Sequence, residues 1–167
     1  LSPNERAGNR GVRIITVSGA HSGAGKTTLI EALLKPLKGW SALKVTVAHR
    51  KGKCPARKEC HTCDQLDSDF SIIGDKEIIE TKGKDTARFK AAGAKKVLWL
   101  KAQPKALGAG LRKAISLFHK PKGLIIESNS ALKYIKPDLA ILVKRKGSIL
   151  KPSAREILER IDLTLEL

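Results

Sequence analysis

Apolar residues fall along the chain in two alternating spacings. Val12 to Val17 is a β-branched run stopping at Ser18 and Gly19, which predicts a buried strand entering a turn. Beyond it Ile30, Leu33, Leu34 and Leu37 recur at i, i+3, i+4 and i+7, the spacing of a helix with one face on a sheet. Pro36 bends or ends that helix. Lys44 to Ala48 predicts a second strand, whereas Cys54 to Asp69 has no period and reads as a loop or small insertion. Ser71 to Ile73 and Glu77 to Ile79 predict short strands near it. Asp85 to Ala92 suits a short helix with an acidic N-terminal cap and Gly93 at its end, before a strand over Lys96 to Leu100. Pro104 opens the next helix, with Leu107, Leu111, Ala114, Ile115 and Phe118 on one face, and Pro121 and Gly123 close it. Strands follow over Leu124 to Ile126 and Leu139 to Val143. After Pro152 and Ser153, Ala154, Ile157, Leu158 and Ile161 predict a final amphipathic helix.

Strands alternating with helices predict an α/β fold of parallel βαβ units, helices on both faces of a mostly parallel sheet, and ligands at the carboxyl ends of the strands. No internal repeat interrupts the pattern. With 167 residues, near the roughly 100 to 200 of one domain, a single domain is expected over 11–167. The polar segment 1–10 is expected to be flexible, and the cysteine-containing insertion spans about 51–69. Leu1 to Arg10 has no apolar stretch of the signal-peptide kind, and Met is absent even from position 1, so a trimmed or replaced start is expected. Hydrophobic residues make up 41% and charged residues 29%, a globular balance with no apolar run of membrane-spanning length.

Charge adds one constraint. Lys and Arg number 33 against 16 acidic residues, a net charge of +17 that attracts nucleotides, nucleic acid, acidic proteins or anionic membrane surfaces. The basic residues are spread along the whole chain, with only two Trp, one Tyr and three Phe, so a basic-plus-aromatic nucleic-acid surface gets little support.

The first turn carries the most specific chemistry. Gly19-Ala20-His21-Ser22-Gly23-Ala24-Gly25-Lys26-Thr27-Thr28 matches the phosphate-loop pattern, with Ala20 in place of its first glycine. Gly23 and Gly25 allow the dihedrals that turn backbone N–H groups toward one concavity, and they let a phosphate approach without a Cβ clash. Lys26 is expected on the β and γ phosphates, the Thr27 hydroxyl on Mg²⁺, and the helix that follows points its positive end at the anion. Thr28 adds a second hydroxyl or amide. The expected ligand is therefore GTP or ATP with Mg²⁺, held by residues 20–28. A second requirement is an acid near the metal. Leu124-Ile125-Ile126-Glu127 has the form of an apolar strand ending in a carboxylate, which makes Glu127 the candidate and Asp85 the other metal-side acid. A guanine-selecting Asn/Thr-Lys-x-Asp motif is absent, because Thr81-Lys82-Gly83-Lys84 has lysine where aspartate is needed, and base identity stays open.

With these elements in place, the chain resembles the MobB family, GTP-binding proteins of molybdopterin-guanine dinucleotide synthesis. The most specific segment is Gly83-Lys84-Asp85-Thr86-Ala87-Arg88-Phe89-Lys90-Ala91-Ala92-Gly93-Ala94, which is similar to that family's Gly-Lys-Asp-Ser/Thr, Arg and Ala-Gly-Ala signature. Val47-Ala48-His49 looks like its strand leading to a histidine, and Glu127 falls where it has its Walker B glutamate. The resemblance implies Gly83, Asp85 and Arg88 near the nucleotide or substrate, Asp85 helping Mg²⁺ and Arg88 meeting a phosphate. It also implies molybdopterin or a related anionic molecule as substrate, a nucleotidyltransferase as partner protein, and a homodimer. The chain departs from the family in two places. Lys51 to Asp64 is a Lys/Cys segment where a histidine-rich one is usual, and Ser128-Asn129-Ser130 replaces a Gly-Phe-Lys type sequence. The second departure resembles the glutamate-asparagine region of nickel-insertion GTPases, which makes a metal-delivering GTPase the alternative. A small-molecule kinase is another, with His49 or Asp85 as its general base.

Three cysteines, Cys54, Cys60 and Cys63, lie together and cannot pair completely within one chain. With His61 or His49 they could supply four ligands to Zn²⁺ in a tetrahedron, or three thiolates to an iron-sulfur site. The plain alternative is three reduced thiols made reactive by Lys51, Lys53, Arg57 and Lys58. Clustering of this kind suits a reducing compartment, and the cytoplasm is the expected location. No arginine finger or water-positioning glutamine can be assigned, so any hydrolysis is expected to be slow without a partner.

Overall fold

The computed structural model describes residues 12–48 and 66–167. The segment 1–10 and the candidate zinc ligands Cys54, Cys60, Cys63, His61 and His49 lie outside the described residues.

Seven strands form one sheet: β1 (Arg13–Gly19), β2 (Ser41–Val47), β3 (Phe70–Ile73), β4 (Val97–Ala102), β5 (Gly123–Glu127), β6 (Leu139–Lys144) and β7 (Leu163–Glu166). Their order is β3-β4-β2-β5-β1-β6-β7, parallel throughout except for β3, which runs antiparallel along β4. The fold is therefore α/β with a mostly parallel sheet. Because side chains alternate across each strand, the buried strands pack on both sides. On one face Leu43, Leu98, Leu100, Leu124 and Ile126 meet Leu107, Leu111 and Ala114 of α4 (Leu107–Ser116). On the other, Val17, Ala42, Ile125 and Val143 meet Ile30 and Leu34 of α1 (Lys26–Leu34) and Phe89 of α3 (Asp85–Ala91). Each fully buried Leu, Ile or Phe contributes roughly 1.5–3 kcal/mol, so the two layers hold the central strands rigid.

Helices and strands largely follow the hydrophobic spacing, with three corrections. Glu77 to Ile79 is not a strand but part of α2 (Lys76–Ile79), because the Asp75 carboxylate accepts from the amides of Glu77 and Ile78 and starts a helical turn. Asp85 does not cap α3. Lys84 holds the cap position with no side-chain bond, and Asp85, the first helical residue, turns its carboxylate to Thr27 and Lys44 instead. The final amphipathic helix is reduced to one turn, α5 (Pro152–Arg155), and a 3₁₀ turn over Leu158–Arg160. Ile157 is buried against Leu132 and Ala140, while Leu158 faces solvent. The Arg160 guanidinium donates to the Leu132 carbonyl at 2.5 Å and the Asp162 amide to that of Ala140 at 2.9 Å, which draws the chain out as β7 beside β6.

Gly123, at the start of β5, has a packing reason to be glycine. A Cβ there would lie 2.3–2.5 Å from ring carbons of the buried Trp40. Gly123→Ala is therefore expected to destabilise the fold by about 1–3 kcal/mol, read as a lower urea midpoint, with Trp40→Phe restoring part of the loss in the double variant. An unchanged midpoint would show that Trp40 moves aside freely.

Candidate functional site

The site forms where β1 and β5 end. In register, Val17 lies beside Glu127, and Glu127 beside Lys44 of β2. The alternation that sends Ala42 and Ile125 into the α1 and α3 layer therefore sends Lys44 and Glu127 the same way, at the rim.

β1 then runs into a turn whose entry is tied on every side. The Ser18 hydroxyl donates to the Ser128 carbonyl at 3.0 Å, and the Ser128 amide to that of Val17 at 3.1 Å. The Asn129 side-chain amide pairs with the Gly19 backbone twice: Oδ1 accepts from the Gly19 N–H at 2.9 Å and Nδ2 donates to its carbonyl at 3.0 Å. Ala20 donates to Val143 at 2.9 Å and accepts from the Lys151 amide at 2.8 Å. Past this anchor the chain turns through Gly23 and Gly25, with φ of 71° and 105°, the left-handed region that glycine enters without strain. No backbone carbonyl among the described residues takes the amides of residues 21–25. They and the first amides of α1 are donors without a backbone partner among the described residues, at the positive end of a nine-residue helix.

Side chains complete the arrangement. Lys26 lies back across Gly19, where a Cβ would meet its Cδ, Cγ and Nζ at 2.9–3.2 Å, so the bare glycine is the track on which the lysine rests. The ammonium ends 3.7 Å from Glu127 Oε1. The Thr27 hydroxyl donates to Asp85 Oδ1 at 3.0 Å, and Lys44 pairs with Asp85 Oδ2. Four of the expected residues, Lys26, Thr27, Glu127 and Asp85, thus converge on one rim. Ala20 and Ala24 are buried supports, whereas Ser22, Gly23 and Thr28 are exposed. His21 turns Nδ1 to the Ser22 carbonyl at 2.7 Å and leaves Nε2 buried without a partner.

Glu127 is the most unusual group electrostatically. It is 7% exposed, and Oε2 has no hydrogen-bond partner. Burial pushes its carboxyl above the usual carboxylate range, against the pull of Lys44 and Lys26. Asp85 is displaced the other way. Its partial burial acts upward, but the hydrogen bonds and charge of Lys44, helped by Thr27, outweigh it and hold the carboxyl low. A hydroxyl and two carboxylates, one with an unused buried oxygen, are the hard oxygen donors that Mg²⁺ takes one or two at a time while keeping its waters. The residues fit that ion.

Arg88 lies beside the rim, within reach of the charges of Asp85 and Glu127. It forms a two-point pair with Glu31 of α1, Nε to Oε1 at 2.9 Å and a terminal nitrogen to Oε2 at 2.5 Å, and so joins α3 to α1. Three contributors have no local signal in the sequence: Lys44, the anchoring function of Asn129, and Lys151. Their places depend on which strands are neighbours. A cavity of about 450 Å³ opens beside the turn, lined among others by Lys26, Lys44, Asp85, Glu127, Ser130 and Lys151. Among the described residues, this site included, no group of three or more His, Cys, Asp or Glu side chains is gathered to hold a metal, and no helix is long and apolar enough to cross a membrane. Comparison of the chain with protein families, curated proteins and solved structures gives no match.

Proposed function

We propose that this protein binds a nucleoside triphosphate, GTP or ATP, with Mg²⁺ in the turn between β1 and α1, and presents the terminal phosphate to the adjoining cavity. The observation that carries this reading is Lys26 lying across Gly19 with its ammonium 3.7 Å from Oε1 of Glu127, whose Oε2 is unpartnered, at a turn whose amides meet no backbone carbonyl among the described residues. Backbone donors and Lys26 would hold the phosphate oxygens, while Thr27, Asp85 and Glu127 would hold the metal directly or through its waters. Mg²⁺, when bound, neutralises charge on the phosphates.

Within that class the reading is a MobB-like one: a GTP-binding protein that assists attachment of a guanine nucleotide to molybdopterin, working with a nucleotidyltransferase. Support comes from the Gly83 to Ala94 segment, whose Asp85 reaches Thr27 across the start of α1. A small-molecule kinase is the second reading. It is favoured by a buried, upshifted carboxylate facing a cavity large enough for an acceptor.

Calorimetric titration of GTP and ATP with Mg²⁺ tests the first claim. Affinity is expected to fall about 30-fold or more in Lys26→Ala, the loss of a charged hydrogen-bonding group. Equal binding by the variant would refute the phosphate-loop reading. Retention of molybdopterin then separates the MobB-like reading from a kinase, for which phosphate transfer to an acceptor is the expected result.

A further inference from the structure

Phosphoryl transfer needs positive charge where the transition state spreads its negative charge, and hydrolysis without such a group is slow. The sequence offers no arginine for this purpose. The fold, however, brings a lysine to the site from the far end of the chain.

Lys151 precedes α5, more than a hundred residues beyond the turn, and its amide donates to the Ala20 carbonyl at 2.8 Å. This fixes its backbone on the residue next to Gly19, over which the Lys26 side chain lies. Lys26 runs back to the entry of the turn, so the phosphates it contacts, the β and γ, meet it at that entry. Lys151 lines the same cavity as Lys26 and Glu127. Its side chain is partly buried and feels the charge of both: burial and the neighbouring Lys26 charge lower its pKa, while Glu127 opposes that shift. No ion pair or side-chain hydrogen bond to another described residue engages its ammonium. By contrast Lys44 is paired with Asp85, and Lys26 lies beside Glu127.

We infer that Lys151 is a catalytic residue, a built-in cation that contacts the terminal phosphate and stabilises the transition state of its transfer. This rests on the triphosphate-binding reading above and deepens it. In hydrolysis the bond from the γ-phosphorus to the β–γ bridging oxygen breaks and a bond to the water oxygen forms. The electron pair leaves on the diphosphate, and the water's proton passes to Glu127 and then to solvent. Lys151 gives up no proton; its charge offsets that gathering on the bridging and γ oxygens. The anchor on Ala20 is a backbone bond, so changing the side chain leaves the loop tied.

The test compares the full-length protein with Lys151→Met, Lys151→Arg and Lys26→Ala, using GTP and ATP with Mg²⁺, and GDP and ADP with aluminium fluoride as a transition-state mimic. Lys151→Met is expected to bind triphosphate within about threefold of the native protein but to hydrolyse it about 10²-fold more slowly in single turnover. It is also expected to lose the fluoride-dependent retention of diphosphate that the native protein shows, while Lys151→Arg keeps most of both. If Lys151→Met does not fold, Lys151→Gln carries the same comparison. Native rate and native fluoride trapping in the variant would overturn the inference. So would a loss of triphosphate affinity equal to the loss of rate, which marks ground-state binding only. A native protein that binds no triphosphate, and so matches Lys26→Ala, would instead remove the underlying reading and this inference with it.

Discussion

Replacing Glu127 by Gln is expected to raise the melting temperature of the nucleotide-free protein at neutral pH while slowing triphosphate hydrolysis by about 10²- to 10³-fold. The two effects share one cause. A buried carboxylate with an unpartnered oxygen is costly to keep ionised, and burial raises its pKa for that reason. Gln has the same shape without the charge. The gain should be about 1 kcal/mol, or roughly 2–4 °C for a chain of this size. It is moderated because Lys26 and Lys44 lose a neighbouring anion. The loss of rate follows from the proposed part of Glu127 as metal-side acid and proton acceptor, a contribution of about 10²–10⁴ for a positioned acid or base.

The pH dependence of this effect has a definite sign. A carboxyl whose folded pKa is raised costs stability where it is ionised, above its folded value. The cost fades as pH falls and is gone below its unfolded value, about 4.3. The advantage of Glu127→Gln should therefore be largest near pH 7 and vanish toward pH 4, as thermal melts across that range would show. A variant less stable than the native protein at pH 7 would mean that pairing with Lys26 outweighs desolvation. Asp85 behaves in the opposite sense. Its lowered pKa contributes stability above the usual carboxylate value, which is lost as pH falls through the folded one.

What could be read from the sequence divides along a physical line. The strand, turn and helix around Lys26 were legible because their signals are local: a β-branched run, two glycines that reach positive φ, and an apolar helix face. Glu127 was legible as the end of an apolar run, and the α/β class as the alternation of two spacings. Local spacing misled where capping decided the outcome, as at Asp75, which starts α2 where a strand was expected. It also misled after Ala154, where tethers to Leu132 and Ala140 override the apolar pattern. Lys44 and Lys151 acquire their parts only through strand order, since β2 lies beside β5 and the segment after β6 returns to Ala20. No window along the chain contains that information.

The same dependence on distant contacts makes Asn129 the most sensitive polar residue at the site. Its amide gives Gly19 both an acceptor and a donor, 110 positions apart in the chain and buried, so it holds the entry of the turn as a strand partner would. Asn129→Asp keeps the shape and the acceptor but replaces the donor with a second oxygen facing the Gly19 carbonyl. At pH 7.5 the uncompensated buried charge should cost about 3 kcal/mol, the lower end of the usual 3–5, because Lys26 and Lys151 line the same cavity. Triphosphate affinity should fall with it, since Lys26 rests on Gly19. A protonated aspartic acid, however, again offers one donor and one acceptor. Stability of Asn129→Asp should therefore recover relative to the native protein as pH is lowered toward 5, whereas Asn129→Ala, which lacks both groups, should show no recovery. Urea unfolding of the three proteins at pH 7.5 and 5 decides the matter. Parallel losses in Asp and Ala at both pH values would mean that solvent, not the amide, satisfies Gly19.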